Sequence, residues 1–410
     1  MMGRYGLLGG KLGHSFSPQI HGMLGSYSYE LFETPEEHLA EFLQSGNFDG
    51  LNVTMPYKKA VIPYLTDLSE IARRIGSVNT VKADETGLHG YNTDYSGFRW
   101  MLADAGISVG GKKCVVLGNG GASATVQVAL ADLGAEKVTV VTHKENTEEY
   151  IRTLADYDIV VNTTPVGMFP NNQEKPVDLA LFSHLSGVAD IVFNPLKTAL
   201  ILQAEAMGIP AAVGLPMLVA QAKQSAEIFT SASIPDEKIR QITGILKKQE
   251  QNLVLIGMPG SGKTTIARQL ANRMHRPFFD ADKEIAARAG KTIPEIFAED
   301  GEEAFRAIES EVLADLGKKT GIVLSTGGGC VTQARNYPSL KQNGVLLLLE
   351  RPLQDLATNG RPLSADPAAL KAMYERRLPL YHAWADHTFA NDLTPARMAT
   401  KILKQLGYER

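Results

Sequence analysis

The sequence predicts an α/β protein built from more than one domain. At 410 residues the chain is too long for a single hydrophobic core, and about two to four domains are expected. Two apolar runs, 113–117 and 252–256, are typical of buried strands, and each leads into a glycine-rich turn followed by a helical pattern. This order of strand, turn and helix is typical of nucleotide-binding α/β domains, so two separate nucleotide sites are predicted.

Composition and charge argue against several classes of partner. The net charge is −4, the isoelectric point is about 6.2 and no block of five like charges occurs, so neither nucleic acid nor a membrane is an expected partner. Cys114 and Cys330 are the only cysteines, which excludes a disulfide framework and favours a reducing compartment. The first residues lack a signal-peptide pattern. A cytoplasmic protein, as a monomer or a homodimer, is therefore expected.

A pair of serines follows the first predicted strand. Ser15 and Ser17 lie at the start of a predicted helix, where two hydroxyls suit a carboxylate. Ser17 directly before Pro18 is also typical of a helix N-cap, so both interpretations stay open.

Polar residues also follow two predicted strands, at the rim where open α/β sheets bind ligands. Thr54 and Lys58 follow the strand that ends at Val53, and Asn79 lies in a similar setting. Asp94 lies at the start of the next predicted helix. Taken singly, Lys58 is also typical of a surface lysine, and Asp94 of a helix N-cap.

In this order, the patterns S-x-S-P, N-V-T-x-P-Y-K, S-V-N-T and Y-N-T-D resemble shikimate dehydrogenase over about residues 1–245. The resemblance implies that the two serines hold a substrate carboxylate and that Lys58 pairs with Asp94 in proton transfer. Such a pair suits reduction of a ketone, because the oxyanion that hydride addition leaves must receive a proton. The ring hydroxyls would be held by Thr54, Asn79 and Asp94.

The resemblance also implies where the domains lie. A substrate domain would cover 1–100 and be completed by 214–244, and a Rossmann domain that binds NADP would cover 101–213. The strand at 113–117 leads into a G-x-G-x-x-S turn, which keeps a small residue where helix and strand approach closely. Cofactor contacts are therefore expected from Gly118, Asn119, Gly120, Gly121 and Ala122.

The residues after the next predicted strand, 138–141, bear on the choice between NAD and NADP. An acidic residue there would favour NAD. Thr142, His143 and Lys144 instead suit a 2′-phosphate and predict NADP. The family usually shows N-R-T here; this chain lacks that arginine and has Glu145 next door, so NAD stays open.

Two later stretches complete the first predicted site. Phe193 lies where the family prefers tyrosine, and it is expected beside the substrate without the hydroxyl. A predicted helix from 214 offers Gly214 and Met217 to the cofactor and Gln221 to the substrate. A helix that only packs its apolar face would show the same residues.

Residues 257–264 match the pattern G-x-x-x-x-G-K-[ST] in full. Glycines let backbone N–H groups and a helix N-terminus converge on phosphate oxygens. Lys263 would then reach the terminal phosphates and the Thr264 hydroxyl would bind Mg²⁺, so ATP and Mg²⁺ are predicted. The expected nucleotide contacts are Gly260, Ser261, Gly262, Lys263, Thr264 and Thr265.

Charged residues downstream suit phosphoryl transfer. Asp280 is expected to act through Mg²⁺, and Asp282 to accept from a substrate hydroxyl, because an attacking alcohol must lose its proton. Arg306 and Glu309, at i and i+3 of a predicted helix, form either a surface ion pair or a steadied arginine that binds a carboxylate. The glycines at 327–329 permit close backbone approach to a ligand.

Together with the patterns R-P-L and R-x-P-L-Y, these features resemble shikimate kinase over about residues 251–410. The resemblance implies that Arg306 and Arg377 bind the shikimate carboxylate. The other family positions, for ring hydroxyls, the pocket wall and a lid that reaches the phosphates, are Asp282, Gly328 and Arg361.

The two resemblances predict a bifunctional enzyme. A linker at 245–251 would join the first half to a P-loop domain of the NMP-kinase type over 252–410. The first half would reduce 3-dehydroshikimate to shikimate with NADPH, and the second would phosphorylate shikimate with ATP. Two alternatives stay open: a quinate/shikimate dehydrogenase fused to the kinase, and a non-catalytic sensor of shikimate-pathway metabolites.

Overall fold

A computed structural model describes residues 3–13, 15–356 and 367–409. No helix in these ranges combines the length and apolar character that crossing a membrane requires. Contacts group the chain into two compact units. The first comprises Met1–Met168, Glu174–Asn194 and Gln203–Leu246, and the second comprises Phe169–Gln173, Pro195–Leu202 and Lys247–Arg410.

A mixed six-stranded sheet lies in the first unit. Its strands are β1 (Arg4–Gly9), β2 (Ser28–Glu33), β3 (Gly50–Val53), β4 (Asp67–Leu68), β5 (Thr80–Asp84) and β6 (Gly87–Tyr91). They pair in the order β2-β1-β3-β5-β6-β4. Strand β1 runs parallel to β2 and β3, whereas β5 runs antiparallel to β3 and β6. The carboxyl end of β3 therefore lies beside the start of β5, which brings two of the predicted polar clusters together.

The second sheet of this unit is parallel and has five strands. They are β7 (Lys113–Leu117), β8 (Lys137–Val141), β9 (Ile159–Asn162), β10 (Gly187–Asp190) and β11 (Ala211–Ala212), in the order β11-β10-β9-β7-β8. Fully buried side chains of β7 pack with Phe98 and Leu130 in one apolar cluster. Both faces of β7 are covered, as its continuous apolar run predicts.

The helices of the first 250 residues surround these sheets. They are α1 (Ser17–Leu24), α2 (Leu39–Gln44), α3 (Glu70–Ile75), α4 (Asp94–Asp104), α5 (Gly121–Asp132), α6 (Glu148–Arg152), α7 (Ala199–Ala206), α8 (Gly214–Thr230) and α9 (Glu237–Glu250). Phe16 is the N-cap of α1, so the N-cap prediction for Ser17 is wrong. Helix α9 includes most of the stretch 245–251 that is predicted as a linker.

A parallel five-stranded sheet forms the centre of the second unit. Its strands are β12 (Asn252–Ile256), β13 (Phe278–Asp280), β14 (Val323–Ser325), β15 (Gly344–Glu350) and β16 (His387–Ala390), in the order β13-β14-β12-β15-β16. The helices are α10 (Lys263–Met274), α11 (Ala281–Ala289), α12 (Ile293–Glu295), α13 (Gly301–Lys318), α14 (Asn336–Lys341), α15 (Pro367–Trp384) and α16 (Pro395–Gln405).

Strand β12 is buried on both faces. Val254 and Ile256 join one apolar cluster, and Leu253 and Leu255 join another, because successive side chains of a strand point to opposite faces. Every residue of β12 is therefore buried, and the glycine-rich turn follows its carboxyl end. The fold-class prediction of α/β domains with parallel sheets is confirmed.

Each of the two cysteines lies in an apolar core. Cys114 belongs to the cluster around β7, and Cys330 belongs to a cluster of the second unit. Burial raises the pKa of both thiols to about 12. Both side chains are therefore protonated and inert in the folded protein.

Candidate active sites

The first site is built around a lysine and an aspartate. Lys58 lies five residues beyond the end of β3, and Asp94 is the first residue of α4. The Lys58 Nζ atom donates to Asp94 Oδ2 at 2.6 Å, with the two side chains 29% and 17% exposed. Thr93, not Asp94, is the N-cap residue of α4, so the N-cap interpretation of Asp94 is wrong. A partly buried pair that still meets solvent is suited to proton transfer.

Asn79 and Gln221 lie next to this pair. Asn79 Oδ1 accepts from the Thr93 backbone N–H at 2.7 Å, and Asn79 Nδ2 donates to the Thr93 hydroxyl at 3.0 Å. The same hydroxyl donates to Gln221 Oε1 at 3.4 Å. Thr93, the N-cap residue directly before Asp94, is therefore tied to the residue that precedes β5 on one side and to α8 on the other.

Four residues that are not part of the predicted site form a hydrogen-bond network next to it. Asn52 Nδ2 donates to Ser225 Oγ at 2.8 Å, and the Thr80 and Ser225 hydroxyls lie 2.8 Å apart. The Tyr29 hydroxyl donates to Asn52 Oδ1 at 2.8 Å. This network anchors α8 to β3 and β5. The sequence signal for it is weak, because a single serine on the apolar face of a helix does not reveal its partner.

The remaining substrate candidates lie at the ends of elements. The Ser17 backbone N–H donates to Ser15 Oγ at 3.2 Å, so the two serines share one turn at the start of α1. Thr54 directly follows β3. The centroid of the Phe193 ring lies 6.0 Å from that of the Phe16 ring, and Phe193 is 37% exposed. Phe193 and the serine turn are therefore neighbours, and their substrate roles stay predictions.

The glycine-rich turn after β7 has room for a diphosphate. Gly118 has φ +100°, and a Cβ there would lie 2.8 Å from Thr164 Cγ2, so only glycine fits. At Gly120, the N-cap of α5, and at Gly121, a Cβ would meet no atom within 4 Å. Open space at a helix N-terminus fits the pyrophosphate of a dinucleotide. The other predicted contacts on this turn are Asn119, which is exposed, and Ala122, which is half-buried.

A carboxylate already uses the donors at the end of β8. The Thr142 backbone N–H and hydroxyl donate to Glu145 Oε2 at 3.0 and 2.7 Å. These hydrogen bonds hold the pKa of Glu145 below its usual value. His143 and Lys144 are exposed and make no hydrogen bond or ion pair with any residue that the structure describes. Of the three predicted 2′-phosphate contacts, Thr142 therefore already has a partner, whereas the His143 and Lys144 side chains are exposed to solvent.

The two cofactor candidates on α8 lie deep in the fold. A Cβ on Gly214 would lie 2.3 Å from the Ile191 carbonyl oxygen, so glycine is needed for close packing beside β10. Met217 is 9% exposed and packs with Phe98 and Met101. Its placement agrees with apolar packing, and its contact with the nicotinamide stays a prediction.

The second site begins at the turn between β12 and α10. Three of its glycines have left-handed φ values: Gly257 at +143°, Gly260 at +83° and Gly262 at +94°. Lys263 Nζ donates to the carbonyl oxygens of Gly257 and Met258, each at 2.9 Å. The Ser261 hydroxyl is fully buried and has no hydrogen-bond partner among the described residues. A preformed loop with one orphaned hydroxyl and a buried ammonium fits a polyphosphate.

Thr264 and Asp280 form the candidate Mg²⁺ site. Thr264 Oγ1 donates to Asp280 Oδ2 at 2.9 Å, and Asp280 Oδ1 accepts from the Asp282 backbone N–H at 3.1 Å. No group of three or more metal-binding side chains occurs in the described part of the chain. An Mg²⁺ ion held here would take its remaining ligands from phosphates and water, as is usual for nucleotide sites. Thr265, the neighbouring predicted contact, is exposed on α10.

The pair of Arg306 and Glu309 is buried, which excludes the surface ion-pair interpretation. Arg306 Nη1 donates to Glu309 Oε2 at 2.7 Å, with the side chains 7% and 0% exposed. Burial raises the pKa of Glu309, and the guanidinium of Arg306 opposes this shift. Glu309 Oε1 has no hydrogen-bond partner among the described residues. Arg306 Nη2 also donates to Glu302 Oε1 at 3.1 Å, so two carboxylates hold the guanidinium in place. The N–H groups that they do not use remain as donors for a ligand.

Arg377 is the second buried arginine. It is 2% exposed, and its Nη1 donates to the Gly328 carbonyl oxygen at 3.0 Å. That oxygen also accepts from the Tyr381 hydroxyl. Burial lowers the pKa of Arg377, which an anionic ligand would offset. A buried guanidinium without a carboxylate partner of its own among the described residues suits a substrate anion.

The glycines after β14 bring these groups together. A Cβ on Gly327 would lie 2.9 Å from both Asp282 Oδ1 and Glu309 Oε1. A Cβ on Gly329 would lie 2.1 Å from Arg306 Nη1. The close approach that the glycines permit is therefore made by Asp282, Glu309 and Arg306 of the protein itself.

Lys263, Thr264, Arg306, Glu309 and Arg377 line one cavity of about 810 Å³, whereas Asp280 and Ser261 are not part of its lining. It extends from the P-loop to the buried arginines, and it includes Asp282. Arg351, directly after β15, also lines it and was missed from the sequence, because no motif covers that position. Arg361, the predicted lid residue, lies outside the described residues.

Comparisons with known proteins bear on both halves. The family model "Shikimate dehydrogenase substrate binding domain" matches residues 7–81, and the family model "Shikimate kinase" matches residues 259–407. The shikimate dehydrogenase (NADP(+)) of Clostridium beijerinckii is 36% identical over 258 residues, which cover 58% of this chain and 95% of that protein. The chain belongs to the shikimate dehydrogenase family. It also carries a shikimate kinase domain at its C-terminal end.

Solved structures of shikimate dehydrogenases resemble the same part. A chorismate mutase/shikimate 5-dehydrogenase fusion protein from Clostridium acetobutylicum is 38% identical with a TM-score of 0.57, covering 60% of this chain and 98% of that one. The shikimate 5-dehydrogenase of Thermus thermophilus, solved with NADP(H) and shikimate, is 31% identical with a TM-score of 0.54, covering 59% and 98%. The predicted resemblances to shikimate dehydrogenase and shikimate kinase are confirmed.

Proposed function

We propose that this shikimate dehydrogenase with a fused kinase catalyses two successive reactions. The first half reduces 3-dehydroshikimate to shikimate with NADPH, and the second transfers a phosphoryl group from ATP to shikimate, giving shikimate 3-phosphate. The 2.6 Å contact between Lys58 and Asp94 carries the first assignment. The cavity that joins the P-loop to two buried arginines supports the second.

In the reductase site the protein manages a proton. NADPH, when bound, supplies a hydride to the ring ketone. Lys58 then protonates the oxyanion that develops, and its ammonium stabilises the negative charge before the transfer. Asp94 holds the Lys58 ammonium in position through their hydrogen bond and accepts from a ring hydroxyl. Asn79 and Gln221 hold the start of α4, where Asp94 lies, through their hydrogen bonds to Thr93.

In the kinase site the protein orients an alcohol and screens charge. ATP, when bound with Mg²⁺ near Thr264 and Asp280, supplies the phosphoryl group. Arg306 and Arg377 hold the substrate carboxylate, for which paired guanidinium donors are well shaped. Asp282 accepts the proton of the attacking hydroxyl, and Lys263 neutralises charge on the transferred group.

A coupled assay tests both steps at once. Purified protein is given 3-dehydroshikimate, NADPH and ATP with Mg²⁺, and the products are identified by mass. Shikimate 3-phosphate, formed only when both cosubstrates are present, is the expected product. Consumption of neither NADPH nor ATP by folded, ligand-binding protein would instead favour the metabolite sensor. Oxidation of quinate as fast as shikimate would favour the quinate/shikimate alternative.

A further inference from the structure

The end of β8 bears on the choice between NADPH and NADH. The inference rests on the proposed reductase function. Two donors converge there, the backbone N–H and the hydroxyl of Thr142, and both already point at Glu145 Oε2. Glu145 also donates its own backbone N–H to the Thr142 carbonyl oxygen at 3.1 Å. The turn therefore closes on itself and holds the carboxylate in place.

We propose that Glu145 weakens the preference of the reductase for the 2′-phosphorylated dinucleotide. Its carboxylate holds the two Thr142 donors that a 2′-phosphate would otherwise use, and it places a like charge beside that phosphate. The same carboxylate accepts hydrogen bonds from a plain ribose 2′-hydroxyl. The ratio of the affinities for the 2′-phosphorylated and the plain dinucleotide is therefore smaller than Thr142, His143 and Lys144 alone would give.

A purely structural role for Glu145 is the competing explanation. The Glu145 side chain accepts from the Thr142 backbone N–H, as in one half of a helix capping box, and the Glu145 backbone N–H donates to the Thr142 carbonyl oxygen. Such contacts close a turn without any ligand. If Glu145 only closes the turn, replacing it should change the dissociation constants of all adenosine ligands by the same factor. The electrostatic role predicts an effect confined to ligands with a 2′-phosphate, because only these place a second negative charge at the site.

The experiment compares binding of two cofactor fragments, without turnover. Dissociation constants of adenosine 2′,5′-bisphosphate and adenosine 5′-monophosphate are measured by calorimetry for the full chain and for Glu145→Gln. Glutamine keeps the size and the acceptor oxygen, so the turn is retained. The bisphosphate is expected to bind about tenfold more tightly to Glu145→Gln, with the monophosphate changed less than about twofold.

Glu149→Gln is the matched control, because Glu149 is exposed in the first turn of α6 and its removal changes the net charge equally. An equal shift for both fragments, or the same shift in the control, would overturn the inference. A ratio of NADPH to NADH use unchanged by Glu145→Gln, in protein that still reduces 3-dehydroshikimate, would overturn it while leaving the proposed function intact. Failure of the wild type to use either dinucleotide would overturn both.

Discussion

Two ion pairs with similar contact lengths have opposite surroundings. The side chains of Lys58 and Asp94 reach solvent, whereas those of Arg306 and Glu309 are almost fully enclosed. A solvent-linked pair can pass protons in and out, so it suits acid–base chemistry. An enclosed pair stays ionised only with excellent geometry, so it suits holding a ligand still. The sequence predicted both pairs, and only the structure separates their environments.

Replacing Lys58 tests the acid–base pair. Lys58→Ala is expected to lower NADPH-dependent reduction at least about a hundredfold, because the developing oxyanion loses its proton donor. ATP-dependent phosphorylation of shikimate should be unchanged in the same preparation. Lys59→Ala, at the exposed neighbouring lysine, is the control and should reduce normally. Loss of both activities from Lys58→Ala in folded protein would contradict two separate sites.

Replacing Glu309 tests the positioning role of the buried pair. Glu309→Gln removes the buried one of the two carboxylates that hold Arg306, so the KM of the kinase for shikimate should rise about tenfold. Binding of ADP, measured by calorimetry, should stay the same, because the P-loop is untouched. Glu311→Gln, at an exposed glutamate of the same helix, controls for charge. Equal weakening of ADP and shikimate binding would indicate general damage rather than lost positioning.

Among the elements, the turn after β14 shows what a sequence pattern leaves out. Three consecutive glycines predict close backbone approach, but they do not say which group approaches. The structure identifies Arg306 against Gly329, and Asp282 with Glu309 against Gly327. These partners come from α11 and α13, so no local pattern could have named them. Motifs predict local shape well, whereas packing between elements depends on the whole fold.

A methyl group at this turn should disturb the substrate site alone. Gly329 has φ −99°, which alanine adopts freely, so Gly329→Ala acts only through the Cβ that would press on Arg306. Shikimate phosphorylation is expected to fall about tenfold or more by displacement of the guanidinium. Gly244→Ala, where a Cβ meets open space, is the control. Full kinase activity in Gly329→Ala would show that Arg306 can shift away from the added Cβ without a loss of shikimate phosphorylation.

A pH-sensitive contact joins the paired strands β4, β5 and β6. His89 on β6 lies 2.9 Å from Asp67 and 3.0 Å from Asp84. The hydrogen bond to Asp67, then that to Asp84, raises the pKa of His89. A raised folded-state pKa means that the stabilisation is complete below the unfolded value of about 6.5 and is lost as pH rises through the folded value.

Urea unfolding of His89→Gln across pH therefore has a definite expected shape. The loss of stability relative to the wild type should be largest near pH 5 and should shrink toward pH 9. His143→Gln, at an exposed histidine without a partner among the described residues, should show no such trend. A constant difference across the pH range would mean that the ring packs but its charge does not contribute.

At the scale of the whole molecule, the sequence predicted the fold class, both nucleotide turns and both family resemblances. These follow from short-range patterns: apolar runs, glycine spacing and motif order. It missed the network through Ser225 and the cavity position of Arg351, and it placed the N-cap of α1 one residue too late. The Ser225 network and the position of Arg351 depend on contacts between segments that are distant in sequence. The N-cap position depends on backbone angles, and the sequence allows the helix to begin after either Phe16 or Ser17.

Two separately damaged proteins should restore the complete reaction when mixed. Lys58→Ala keeps the kinase site, and Lys263→Ala keeps the reductase site, because the two lysines belong to different compact units. Shikimate released by one protein is a substrate for the other, so the mixture should form shikimate 3-phosphate from 3-dehydroshikimate. Mass detection of the product checks this, with each variant alone as the control. If each variant still catalyses its remaining step but the mixture forms no shikimate 3-phosphate, free release of shikimate is contradicted.

The placement of Cys114 and Cys330 has a practical consequence. Each compact unit holds one of the chain's two thiols in its interior, and neither reacts while its surroundings stay closed. An alkylating reagent would therefore mark each half only in the moments when that half opens. Proteolytic digestion and mass spectrometry of the two labelled peptides would then give the opening rate of each half separately, in a single sample of the unmutated enzyme.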